Sequence, residues 1–196
     1  MNQEIELYLR CLREIKMRLD FVREDYVRPA SLEAVPIMKF ENACLQVRKV
    51  VEYLAFASLA SNRQLYETEW SGFVRENDFS KLLRRLQKIN PQFLPTSVSI
   101  EGLNSSGEWL MKDNEFQLEP HVLTSTYGRL GNVLHAKNPY SDSTNWEEYQ
   151  TFLRQGVKAI ISAIQDHVAI LATGEHLLVR MSGNDQPIQP YILRER

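Results

Sequence analysis

The chain has 196 residues, 43% of them hydrophobic and 24% charged, with a net charge of −2 and a pI near 6.1. This composition describes a globular chain that buries a core without disulfide or metal staples. It excludes a global basic field for nucleic acid, so any RNA or DNA contact has to come from a local patch. The first residues include Asn2, Glu4 and Glu6 in place of a basic then apolar run, so no signal peptide is expected. No apolar stretch approaches the ~20 residues of a membrane span. A cytoplasmic location with no membrane partner is the expectation. Cys11 and Cys44 sit in helical patterns and read as small buried residues, not as a disulfide or metal pair.

Taken in order, Ile5, Tyr8, Leu9, Leu12, Ile15, Leu19, Val22 and Tyr26 recur at three- and four-residue steps, which predicts a helix over residues 3–27 ended by Pro29. A second helix is predicted from just after Pro36 to about Ser61. Its run from Val50 to Ala60 is apolar on more than one side, which makes it the central helix. Asn77 or Asp78 caps a third helix carrying Phe79, Leu82, Leu83, Leu86 and Ile89, and Asn90-Pro91 stops it. Ser97–Ile100 and Glu115–Leu118 alternate like short strands around the turn material of Gly102 to Gly107. A fourth helix is predicted over about Pro120 to Lys137. Thr144-Asn145-Trp146-Glu147 has the form of a capping box for a fifth, which runs to about Ile164. Val168–Leu171, Leu177–Met181 and Ile188–Leu193 read as strands, with Pro190 confining the last to an edge. The expected fold is mainly α: an antiparallel bundle of four to five helices with a small inserted β-hairpin and a C-terminal β-meander. The bundle is assigned to residues 1–166, with 91–119 as the inserted loop or hairpin, and the meander to 167–196 as an appendage.

The fourth helix carries the most suggestive chemistry. Arg129, Asn132 and His135 follow one another at steps of three, a slanted polar row, while Tyr127, Leu130 and Leu134 can face a core. A fixed cation, an amide and a titratable imidazole together are equipment for handling a phosphodiester. The competing explanation is a polar knot inside the bundle, with Arg129 paired to Glu41 or Glu52 of the central helix.

An arginine followed by a histidine six residues on, late in a helical bundle, resembles the HEPN superfamily. The central helix, with Glu41, Arg48 and Glu52, is similar to the long second helix of such domains. The resemblance extends over about residues 2–167 and leaves the hairpin and the tail unexplained. It implies a metal-independent endoribonuclease or an RNA-binding protein, a toxin or defence effector, that needs no cofactor. It also implies a homodimer that brings two rows into one cleft, and an antitoxin or other protein partner. His135 would move protons, Arg129 would hold phosphoryl oxygens and Asn132 would orient them. Leu130 stands where many members carry a polar residue. Either Asn132 substitutes for it or the site is inactive, and in the second case the chain is a catalytically silent helical interaction module.

Further RNA contacts are expected at Lys137, just past the histidine, and at Arg84 and Arg85, which form a basic face with Lys81 and Lys88. A basic helix face is also the ordinary form of a solvated surface. Trp146, Tyr149 and Phe152 read as core, Glu147 and Glu148 as first-turn partners of the helix dipole. His121, His167 and His176 have no companion acids at useful spacing and read as structural or exposed.

Overall fold

The apolar steps that begin at Ile5 close into helix α1, Gln3–Val22, with Ile5, Tyr8, Leu9, Leu12, Ile15, Leu19 and Val22 buried. A π-helical turn, Arg23–Val27, continues it, so the winding changes within the span expected to be one helix. The computed structural model describes residues 3–27, 36–70, 78–136, 140, 145–181 and 186–193. Helix α2, Ile37–Ser61, runs antiparallel to α1. Arg18 of α1 donates to Gln46 near the start of α2, whereas Leu7 lies beside Ala60 near its end.

Helix α2 is the central element. Val47, Val51 and Ala55 are fully buried and Leu54 is 2% exposed, and the helix touches α1 and four later helices. A short helix α3, Arg63–Glu69, follows at once and was not expected. Its one buried residue, Tyr66, gives no periodic stripe to read. Helix α4 spans Phe79–Ile89, and Asp78 caps it by accepting from the Lys81 N–H. Strands β1 (Thr96–Leu103) and β2 (Trp109–Asp113) form a hairpin. Helix α5 is Pro120–Leu134, with proline in its first turn. Helix α6 is Trp146–Ile164, and its N-cap is Asn145, which accepts from the Glu148 N–H. The capping pair thus lies one residue later than the Thr144–Glu147 box. The chain ends in β3 (Asp166–Ile170), β4 (His176–Arg180) and β5 (Gln189–Leu193).

The mainly α expectation is overturned by the sheet. The hairpin and the C-terminal strands are one five-stranded antiparallel sheet, ordered β2-β1-β3-β4-β5. The join is made by Thr96 and Ser97 of β1, which pair with Val168 and His167 of β3. The fold is therefore mixed, with six α-helices among the described residues packed with a sheet. Residues 115–118 are not a strand. The Gln117 amide there accepts from the Ser97 N–H and donates to the Ser97 carbonyl, bonding that backbone as a strand would.

The sheet curls. Its register shifts between Ile100 and Gly102, and Gly102 has φ +133°, a conformation that glycine adopts readily. Trp109 of β2 and Tyr191 of β5 lie on opposite edge strands, yet their rings are 5.1 Å apart. Arg180 of β4 lies under Trp109 at 5.7 Å. This aromatic closure covers Leu178, which is fully buried on the face away from the helices. On the helical face, His167, Ala169, Leu177 and Val179 are buried.

Candidate functional site

Helix α5 presents the polar row as follows. Steps of three residues shift a helix face by about 60°, so Arg129, Asn132 and His135 drift over about 120° of the surface. Asn132 is exposed. His135 is exposed and ends the helix as its C-cap, with φ −88° and ψ 138°. Arg129 is half-buried. Its Nη2 donates to Glu148 Oε1 at 2.6 Å, and its guanidinium lies 4.1 Å over the Phe152 ring and 5.5 Å from that of Tyr149. The partner is on α6, not at Glu41 or Glu52. The aromatic row of α6 is half-buried and carries this cation. The groove beside it, of about 400 Å³, is also lined by Glu147 and Glu148. Two carboxylates against one guanidinium make that side unfavourable for a phosphate.

The opposite flank of α5 meets α2 differently. The Arg48 guanidinium sits 3.9 Å from the Tyr127 ring centroid. Phe79 stacks on the same ring at 4.3 Å. Two groups that close cannot share one face, so Tyr127 is held between Phe79 of α4 and Arg48 of α2. A side chain at Gly131 would place its Cβ 2.6 Å from Arg48 Nη1. The glycine is what lets the guanidinium lie against the α5 backbone. The sequence signal was present: glycine inside a helix costs about 1 kcal/mol against alanine and marks a close approach. Read alone, Arg48 shows only as part of the central helix.

The remaining expected contacts do not join this surface as a set. Lys137 lies outside the described residues. Arg84 is exposed, and its Nε donates to the Ser80 carbonyl of its own helix. Arg85 is exposed over the buried Trp70 ring at 5.2 Å.

Away from α5, His167 is fully buried. Its Nδ1 lies 2.7 Å from the Ile164 carbonyl, which only accepts, so Nδ1 carries the proton. Its Nε2 then accepts from the Tyr8 hydroxyl at 2.8 Å. Burial pushes the imidazole down to about 4 and the Tyr8 phenol upward. His121 pairs with Glu119 on the surface. A groove of about 630 Å³ lies between α1, α2 and α3 over Leu7, Cys11, Phe56 and Leu59. Burial holds the Cys11 thiol up at about 11, so it is a poor nucleophile at neutral pH. Among the described residues, no three of the histidine, cysteine, aspartate and glutamate side chains come together to hold a metal ion, and no helix is long and apolar enough to cross a membrane. No family model, curated protein or solved structure matches the chain.

Proposed function

We propose that the chain binds RNA across the exposed surface of α5 and cleaves it with His135 as the proton-transfer group, in a cytoplasmic setting. The observation that carries this reading is the exposure of His135 and Asn132 on the helix that also holds Arg129. A polar knot would have buried the imidazole against a carboxylate. RNA brings its own nucleophile. His135, when neutral, takes the proton of a 2′-hydroxyl as that oxygen attacks the adjacent phosphorus. When charged, it protonates the leaving 5′-oxygen. Asn132 orients the phosphate. Arg129 is available once its exposed pair with Glu148 opens, which costs at most about 1 kcal/mol for such a pair.

The decisive experiment is cleavage of single-stranded RNA in the presence of a chelator. The expected product ends in a cyclic phosphate, and DNA of the same sequence survives because it lacks the attacking hydroxyl. His135→Ala abolishes cleavage without moving the melting temperature. A wild type that leaves RNA intact overturns the reading. One observation favours the runner-up, a catalytically silent interaction module that docks a protein partner: Glu148 already neutralises Arg129, and the groove there is acidic. Under that reading Arg129→Ala weakens the α5–α6 junction and nothing else.

A further inference from the structure

We infer that the phosphate-holding cation of this surface is Arg48, contributed by α2, which rests on the RNA-handling reading of α5. Arg129 has its counter-charge in Glu148 at 2.6 Å. Arg48 is half-buried and, among the described residues, has no carboxylate partner; what holds it is the Tyr127 ring and the gap at Gly131. A guanidinium carries its N–H donors in its plane. Contact with Tyr127 occupies its face and leaves donors free along its edge. A partly desolvated cation with unused donors and no counter-ion is the condition that an incoming anion relieves.

Position supports the same assignment. Residues four apart lie on one helix face, one turn from each other. Tyr127, Gly131 and His135 therefore form one stripe along α5. Arg48 covers the first two positions of that stripe, and the exposed His135 stands at the third. A phosphate on the Arg48 edge lies beside the imidazole on the same face. Arg129 lies about 120° around the helix from His135, against the acidic groove. The clamp also fixes the guanidinium in advance: Phe79 backs Tyr127, and Tyr127 backs Arg48.

The test is binding of a short fluorescein-labelled single-stranded RNA, read by anisotropy from about 50 to about 200 mM salt. Arg48→Gln should weaken binding about tenfold and lower the slope of log affinity on log salt by about 0.7, the value of one lost phosphate contact. Arg48→Lys should restore the slope but not the full affinity, because a point charge replaces a planar fork. Arg129→Gln should lose less than Arg48→Gln. Equal binding by Arg48→Gln and wild type, or a larger loss at Arg129, overturns the inference. Gly131→Ala keeps the charge but puts a methyl where Nη1 lies. It should weaken RNA binding even if Arg48→Gln does not fold, and unchanged binding by this variant counts against the proposal. Titrating wild type with inorganic pyrophosphate while following the Arg48 Nε–H resonance separates the two readings. Movement of that resonance in a protein that neither binds nor cuts RNA sustains the anion site and removes the nuclease. RNA cleavage that is indifferent to both Arg48 and Gly131 does the reverse.

Discussion

His167 and His135 lie in opposite environments, and each environment makes a different prediction. His167 is fully buried and neutral, with both ring nitrogens bonded. Its folded pKa of about 4 lies below the ordinary 6.5, so the unfolded chain takes up a proton first. The stability that follows is complete above about pH 6.5 and drains away as pH falls toward 4, where it levels off. The drop amounts to about 3 kcal/mol at most, from about 1.4 kcal/mol per pH unit. Urea melts at pH 7.5 and pH 5 should show it, and a His167→Gln variant should lose most of that dependence. An unchanged midpoint at pH 5 would mean that the ring is not held neutral. His135 is exposed at a helix end, so His135→Ala should leave the melting temperature within about 1 °C of wild type, as surface changes away from such features usually do. From the sequence, His135 falls in the polar row of α5, which left an exposed site and a buried polar knot both open, and His167 reads as structural or exposed. It did not show the bond to Tyr8, because Tyr8 stands 159 residues away and no local spacing encodes that meeting. Arg48 is hidden from local reading for a related reason: its cue, Gly131, lies on another helix.

Among the elements, the helices and the segments of β1, β3, β4 and β5 were readable, and their assembly into one sheet was not. Helix stripes are local. The steps of three and four in α1 and α2, the Asp78 cap and the Pro120 first turn all act within a few residues, and each predicted helix appears close to its predicted place. Two predictions test them. Leu54 is 2% exposed in the middle of α2, so Leu54→Ala should cost about 2–5 kcal/mol, read from chemical denaturation. Asp78→Ala removes the side chain that accepts the Lys81 N–H in the first turn of α4, and should cost about 1 kcal/mol. What failed was the distant pairing. β1 joins β3 through Thr96–Val168 and Ser97–His167, a partnership that alternation along either segment cannot announce. Glu115–Leu118 has the alternation of a strand, but its backbone neighbour was taken by the Gln117 amide. The true strand, Trp109–Asp113, is set by the turn before it. There Asn104 Oδ1 accepts from the Ser106 and Glu108 N–H groups and Gly107 has φ +78°.

For the whole molecule, the question is whether helices and sheet unfold together. One apolar cluster runs from Ile5 of α1 through Leu177 and Val179 of β4. Polar ties cross the same boundary. Tyr8 bonds His167, Lys16 donates to the Met181 carbonyl at 3.1 Å, and the Ala172 N–H donates to the Ser61 carbonyl at 3.1 Å. A homodimer through α5, which would supply a second imidazole to one phosphodiester, should appear in light scattering at high micromolar concentration. A strict monomer would remove the two-histidine form of the cleavage mechanism. The intramolecular prediction is independent of that result. Removing residues 166–196 takes away β3 to β5 and strips the partner from β1. It also uncovers the inward side of α1 at Tyr8. The truncated chain should lack a cooperative thermal transition and should bind a hydrophobic dye, as loosely packed states do. In the full chain, far-ultraviolet circular dichroism reports the helices. Tryptophan fluorescence reports the sheet closure in a variant that keeps Trp109 but carries phenylalanine at Trp70 and Trp146. The two signals should change at one midpoint, because neither layer keeps its buried face without the other. Two separated midpoints, with the Trp109 signal changing first, would show that the sheet opens first and that α1 and α2 hold each other without it.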